Sequence, residues 1–148
     1  MQVQIQNLQN SRIAINRLKR LALGFLRAEG AREDSEVSVV LTTDEHIREL
    51  NRRYRDLDEA TDVLSFSQLE DGEAPLGDYE EGLLGDVVIS VETAKRQAKA
   101  ANKTMQQEVE WLLAHGVLHL LGYDHAQDSD CERMFARQAE LLNVGDEG

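Results

Sequence analysis

The stretch His115-Gly-Val-Leu-His119-Leu-Leu-Gly-Tyr-Asp-His125 contains three of the four histidines of the chain. Two histidines four residues apart lie on the same face of a helix. Gly122 is a natural residue to end such a helix, because glycine adopts positive φ without a Cβ clash. His125 follows three residues later and can return toward His115 and His119. Three neutral imidazoles converging on one point predict an open zinc site, with one position left for water or substrate.

The residues before this stretch predict the helix that carries it. Thr104 and Gln107 have the spacing of a capping box, so the helix is expected to begin near Met105. Apolar residues then recur at helical spacing, which predicts a face that packs against the rest of the protein. This face consists of Val109, Leu112, Leu113, Val117 and Leu120.

The spacing of the three histidines and the glycine matches the pattern H-E-x-x-H-x-x-G-x-x-H of metzincin proteases. One residue differs, because Gly116 stands where those proteases have glutamate. That glutamate is the general base that takes a proton from water, and glycine has no group that can do so. The sequence therefore predicts the metal site of such a protease without its catalytic base.

Length and composition predict one cytoplasmic domain that covers residues 1–148. The single cysteine, Cys131, excludes an internal disulfide, and no apolar run approaches the length of a membrane span. No membrane is therefore expected. The net charge of -12 argues against non-specific binding to nucleic acid, so no DNA partner is expected either. Basic side chains nevertheless concentrate in two segments that could form a local positive surface: Arg12, Arg17, Lys19, Arg20 and Arg27, then Arg48, Arg52, Arg53 and Arg55.

Alternating strand and helix patterns predict an α/β (mixed α+β) single domain, with a small four-stranded mixed sheet, about five helices and the metal site on a late helix. Strands are expected around residues 3–5 and over residues 36–42, 62–67 and 84–90. Helices are expected over residues 11–28 with Ser11 as cap, from Thr43 to residue 53, and from Ser90 to about residue 101. The acidic stretch 68–82, with the only proline, is predicted to be a loop.

After the histidine helix, a last helix is expected to begin near residue 129. Its apolar residues are predicted to be buried, and they are Met134, Phe135, Leu141 and Leu142.

Three segments together resemble the YbeY endoribonuclease (rRNA maturation factor) family. They are HGVLHLLGYDH, LGDVVIS at residues 84–90, and YRDLDEATDVLSF at residues 54–66. The resemblance covers nearly the whole chain in element order. The chain departs from the usual family residues at Asp56, where glycine is common, at Ala60, where proline is common, and at Ser67, where proline is frequent. These departures concern the shape of the loops near the predicted site.

The resemblance implies a cytoplasmic, zinc-dependent endoribonuclease that cleaves single-stranded RNA, matures the 3′ end of 16S rRNA and takes part in ribosome quality control. The implied partners are rRNA, the small ribosomal subunit and ribosomal or assembly proteins. It also implies that His115, His119 and His125 bind one Zn²⁺ per chain, with other divalent transition metals as alternatives. Arg55 matches the family's functional arginine, and a guanidinium can stabilise the charge that develops around phosphorus during cleavage.

Four further residues near these motifs have less specific expectations. Asp124 could accept a hydrogen bond from a ligand imidazole, or could simply belong to the turn. Asp62 and Ser65 could line the pocket, but ordinary strand positions are preferred for both. Tyr123 could stack on a base, but packing is the preferred interpretation.

Three functions from different classes remain open on the sequence alone. The first is a zinc-dependent endoribonuclease acting on rRNA. The second is a zinc hydrolase of another substrate, including a peptidase whose base comes from elsewhere in the chain. The third is a ribosome-assembly factor whose metal is structural.

Overall fold

The computed structural model describes residues 1–67, 83–123 and 128–147, without the side chains of residues 128–131 and 144–147. The predicted loop 68–82 lies outside the described residues. Within them, the chain forms four strands and five helices, as the predicted fold class requires. The strands are β1 (Gln2–Asn7), β2 (Glu36–Thr42), β3 (Val63–Ser67) and β4 (Leu83–Ser90). The helices are α1 (Ile15–Ala28), α2 (Asp44–Arg55), α3 (Val91–Ala100), α4 (Met105–Leu120) and α5 (Asp128–Glu147).

The four strands form one mixed sheet in the order β1-β2-β4-β3. β1 pairs with β2 and β2 pairs with β4 in parallel, whereas β3 runs antiparallel to β4 at the edge of the sheet. Parallel neighbours need a crossover, and α1 connects β1 to β2 in this way. Among the described strands β3 has only β4 as a neighbour, and the candidate site is lined by β3.

The two faces of the sheet carry separate apolar clusters, because side chains alternate along a strand. Val87 and Ile89 of β4 face the main core, which α1, α3, α4 and α5 cover. Val88 faces the opposite side, where it packs with Ile47 and Leu50 of α2. Helix α4 therefore lies between the sheet and other helices, which explains why its predicted apolar face is fully buried.

Both ends of α4 follow the predicted chemistry. The Thr104 hydroxyl accepts a hydrogen bond from the Gln107 backbone N–H at 3.1 Å, and the Gln107 side chain accepts one from the Thr104 N–H at 2.9 Å. At the other end, Gly122 has a φ of 103°, and Tyr123 N–H donates to the Leu118 carbonyl at 3.0 Å. This is the Schellman arrangement, in which a residue at positive φ reverses the chain.

The predicted start of the first helix is wrong. α1 begins at Ile15, and Ala14 occupies the cap position without a side-chain hydrogen bond. The side chain of Gln9 instead binds the backbone N–H and carbonyl of Ser11, at 2.7 and 2.8 Å, and keeps Ser11 out of the helix. The Ala14 N–H donates to the side chain of Gln106 in α4 at 2.9 Å. A tertiary contact has therefore taken the place of the local cap.

Helix α2 ends at a position of left-handed backbone. Asp56 has a φ of 59° and caps the helix through a hydrogen bond from its N–H to the Asn51 carbonyl. This is the position at which the resembling family commonly has glycine, and aspartate is one of the few other residues that tolerate this conformation. The departure therefore preserves the turn that leads away from Arg55.

The described residues include no helix that is both long enough and apolar enough to cross a membrane.

Candidate functional site

The candidate site is a cavity of about 370 Å³ between the edge strand β3, the end of α2 and the C-terminal half of α4. Two of the three segments that carry the family resemblance meet in it, although they are far apart along the chain: residues 54–66 and the histidine stretch. The lining residues are Arg55, Thr61, Asp62, Val63, Leu64, Ser65, His115 and His119.

Two of the three predicted zinc ligands face this cavity from neighbouring turns of α4. The ring centroids of His115 and His119 are 5.3 Å apart, and the planes are inclined by 65°. Both side chains are half-buried and line the cavity. The two imidazoles thus provide nitrogen donors on one helix face, as their spacing predicts. Within the residues that the structure describes, no third histidine, cysteine, aspartate or glutamate completes a cluster with them.

The remaining predicted ligand, His125, and its neighbour Asp124 lie outside the described residues. Their roles, and the zinc ion itself, stay predictions. The Schellman turn at Gly122 has reversed the chain just before them.

Gly116 permits the close approach between α4 and the sheet on which the site depends. A Cβ at this position would lie 2.5 Å from Cγ1 of Val87 in β4 and 3.3 Å from Oγ of Ser65 in β3. The Ser65 hydroxyl donates to the Gly116 carbonyl at 3.2 Å, which ties the edge strand to the helix between the two histidines. Metzincins have their catalytic glutamate at this position. In this protein Val87 and Ser65 occupy the space that a side chain at position 116 would need.

Replacing Gly116 with alanine should lower the free energy of unfolding by about 1–3 kcal/mol, the usual cost of overpacking a filled core. Gly24 in α1 offers a matched control, because a Cβ there meets no atom within 4 Å. Gly24→Ala should raise stability by about 0.5–1 kcal/mol through helix propensity. Urea unfolding of the two variants measures both values, and a Gly116→Ala variant as stable as Gly24→Ala would contradict the close approach.

Arg55 is the last residue of α2 and forms another wall of the cavity. Its Nη2 donates to the Ser65 carbonyl at 2.7 Å, and its guanidinium carbon lies 5.1 Å from the ring centroid of Phe66. Tyr54 in turn packs edge-on against Phe66 at 5.6 Å. These contacts hold an exposed arginine in a defined orientation beside the two histidines. Its catalytic role stays a prediction.

Asp62 and Ser65 both line the cavity, which was the less favoured of their two interpretations, and Ser65 is at the same time a residue of β3. Asp62 lies just before β3, where its Oδ1 accepts from the Val63 N–H at 2.8 Å and its Oδ2 accepts from the Gln97 side chain at 3.2 Å. Thr61, which the sequence analysis did not single out, also lines the cavity. Thr61, Asp62 and Ser65 all belong to the segment Thr61-Asp-Val-Leu-Ser-Phe, and membership of this motif was the only sign in the sequence that they lie near the site.

The prediction that Phe135 is buried is wrong, since 45% of it is exposed. Met134 and Leu141 of the same helix are buried as predicted. Phe135 lies at the border of that buried face and stacks at 6.1 Å on Trp111 and at 6.3 Å on His115. An aromatic ring of α5 thus covers one side of the histidine helix next to the site.

Several arginines of the two basic segments are neutralised by acidic neighbours. Arg17 forms an ion pair with Glu110 of α4 at 2.7 Å. On α2, Arg48 pairs with Asp58 at 2.9 Å and Arg52 pairs with Glu49 at 2.6 Å. The positive charge that these segments offer to an anionic partner is therefore smaller than the sequence indicates.

Tyr123 has the packing role that the sequence analysis preferred. Its ring packs against the main core, and its hydroxyl donates to Glu29 at 3.0 Å. Burial and the neighbouring Glu29 carboxylate raise the pKa of Tyr123 above its usual value. Tyr123 therefore stays a neutral hydrogen-bond donor at the end of the Schellman turn.

Comparison with known proteins agrees with the resemblance carried by the motifs. A family model described as Endoribonuclease YbeY matches residues 4–145 of the chain. A protein named Endoribonuclease YbeY from Synechococcus sp. (strain JA-2-3B'a(2-13)) is 50% identical over 121 residues, covering 80% of this chain and 74% of the relative. Another of the same name, from Pelotomaculum thermopropionicum, is 44% identical over 147 residues, covering 96% and 95%. The solution structure of a Thermotoga maritima protein superposes with a TM-score of 0.64 at 27% identity, covering 97% of this chain and 88% of that one. The chain therefore belongs to the endoribonuclease YbeY family.

Proposed function

We propose that this protein is a metal-dependent endoribonuclease that cleaves single-stranded RNA by hydrolysis of a phosphodiester bond. Membership of the endoribonuclease YbeY family supports the assignment to the nucleases, a class of hydrolases. The observation that carries the proposal is the meeting of Arg55 with His115 and His119 in one cavity. Hydrolysis of a phosphodiester needs an activated water and a group that stabilises negative charge. His115 and His119 would hold the metal that activates the water, and Arg55 would stabilise the charge.

The donor set of the cavity fits a zinc ion. His115 and His119 supply two imidazole nitrogens on one helix face, and imidazole is a preferred ligand of zinc. We propose His125 as the third ligand, from its distance along the chain after Gly122. A zinc ion bound by three histidines would act as a Lewis acid and lower the pKa of water toward about 7.

Arg55 would bind the phosphate and stabilise the negative charge that grows on it during cleavage. Its contacts with the Ser65 carbonyl and the Phe66 ring orient the guanidinium before the substrate arrives. A group that is oriented in advance needs no costly rearrangement at the moment of reaction. A guanidinium is planar and can address two phosphate oxygens at once, which an ammonium cannot do.

The proposed substrate is rRNA of the small ribosomal subunit at the 3′ end of the 16S molecule, and the proposed setting is the cytoplasm. This finer assignment rests on the family resemblance of the motifs. The acidic net charge and the paired arginines of α1 and α2 favour a specific complex, formed with the ribosome or its assembly proteins, over general affinity for nucleic acid. Gly116 has no carboxylate that could act as the base of a metzincin-like peptidase, and a Cβ at this position would meet Val87.

The test is cleavage of a single-stranded RNA that spans the 3′ end of 16S rRNA. We expect zinc-loaded protein to cut it, a chelator to stop the reaction, and a duplex of the same sequence to resist. An unstructured peptide serves as the competing substrate. Cleavage of the peptide without cleavage of the RNA would favour a peptidase, and undiminished RNA cleavage in chelator would remove the metal from the mechanism.

A further inference from the structure

Gln138 of α5 is completely buried against the histidine helix, and it contacts that helix twice. Its amide nitrogen donates to the backbone carbonyl of Trp111 at 3.1 Å. Its amide oxygen lies 3.3 Å from Nδ1 of His115. Gln138 therefore connects α5 to a predicted zinc ligand, and it does not belong to the lining of the cavity.

The orientation of this amide is determined by its two neighbours. The Trp111 carbonyl can only accept a hydrogen bond, so the amide nitrogen of Gln138 must face it. The reversed orientation would place two carbonyl oxygens against each other in a buried site, where a lost hydrogen bond is costly. The atom that faces His115 is consequently the amide oxygen of Gln138, which is an acceptor.

An acceptor at this place selects one form of the neutral imidazole. A neutral histidine carries its proton on one ring nitrogen and a lone pair on the other. A proton on Nδ1 of His115 makes a hydrogen bond with the Gln138 oxygen, and Nε2 then keeps the lone pair that can bind a metal. Histidines that bind metals are commonly held in this way by a hydrogen bond to the other ring nitrogen.

We propose that Gln138 is a positioning residue that holds His115 as the Nδ1-protonated tautomer and so reserves Nε2 for the metal. The metal part of this inference rests on the proposed function, whereas the tautomer is a property of the metal-free protein. Trp111 belongs to the arrangement, because its carbonyl orients Gln138. Trp111 and His115 lie one turn apart on α4. The Trp111 carbonyl orients Gln138, and Gln138 in turn orients His115.

The test compares wild type with Gln138→Met, which has similar size but no acceptor, and with Gln138→Glu, which retains an acceptor for Nδ1 but loses the donor to the Trp111 carbonyl. Gln4→Met on the exposed side of β1 is the control for the loss of a glutamine. Nitrogen NMR of the imidazoles in metal-free protein, at about pH 8 where histidine is neutral, identifies the tautomer. Competition with a chelator then measures zinc affinity.

We expect the Nδ1-protonated form of His115 in wild type, Gln4→Met and Gln138→Glu, and a loss of this preference in Gln138→Met. Zinc affinity should fall about 10- to 100-fold in Gln138→Met and recover in part in Gln138→Glu. An Nε2-protonated His115 in wild type would overturn the proposal, and so would unchanged tautomer and affinity in Gln138→Met. The wild-type spectrum decides the tautomer even if neither substitution at position 138 folds. If neither wild type nor any variant binds zinc but the tautomers are as expected, the proposed function fails, while the role of Gln138 in holding the His115 tautomer stands.

Discussion

Replacing either His115 or His119 with alanine should lower zinc affinity by more than about a hundredfold. Residues that only orient a ligand already account for about 10- to 100-fold, so the loss of a ligand itself must cost more. RNA cleavage should fall with the metal content, because the same ion is proposed to activate water. Elemental analysis of purified protein, beside a cleavage assay, measures both effects.

His46 provides the matched control for this experiment. It lies in α2, where its Nδ1 is 2.7 Å from the Thr42 hydroxyl, and it does not line the cavity. His46→Ala should therefore bind zinc as wild type does. If His119→Ala kept its metal, the site would be misassigned. If it lost its fold together with its metal, the ion would be structural, as in an assembly factor.

Replacing Arg55 with alanine should reduce the rate of RNA cleavage by about a hundredfold or more, which is the scale observed when one transition-state donor is removed. Metal content should not change, because Arg55 belongs to a different element from the histidines. Stability should change little, since the side chain is exposed and the lost hydrogen bond to the Ser65 carbonyl is worth about 1 kcal/mol. Single-turnover cleavage and equilibrium binding on the same RNA separate the effect on rate from the effect on affinity.

Arg55→Lys should recover part of the rate, because lysine keeps the charge but lacks the planar fork. Arg52→Ala is the control on the same helix, since Arg52 is paired with Glu49 and does not line the cavity. It should cleave at the wild-type rate. A saturated Arg55→Ala variant that cuts as fast as wild type would remove this arginine from catalysis.

The histidine helix was predictable because its signals are local. The capping box at Thr104, the apolar spacing and the glycine at position 122 each act over one or two turns of the chain. Local hydrogen bonds and periodic burial therefore determined the bounds of α4 and the shared face of His115 and His119. The family resemblance, carried by short continuous motifs, was equally accessible and was confirmed.

The start of α1 and the exposure of Phe135 were not predictable, because contacts between distant elements decide them. Ser11 has the chemistry of a cap, but Gln9 and a hydrogen bond from Ala14 to α4 place the start at Ile15. Phe135 is as apolar as a core residue, yet its ring stacks on Trp111 and His115 of α4 and stays 45% exposed. Periodicity identifies an apolar face but not where the neighbouring helix stops covering it.

The sequence alone determined the histidine helix and the pairing of two imidazoles on one face, because these depend on periods and spacings within one segment. It also determined the fold class through the order of the predicted elements, and the family through the resemblance of short motifs. Only the tertiary structure decided what surrounds those imidazoles. It brought Arg55 to the cavity through Ser65 and Phe66, and it showed that packing against Val87 leaves no room for a side chain at Gly116. It also set Gln138 against His115 across the boundary between two helices. These contacts join residues far apart in the chain, and no local pattern encodes which distant side chain will fill the space beside a given one.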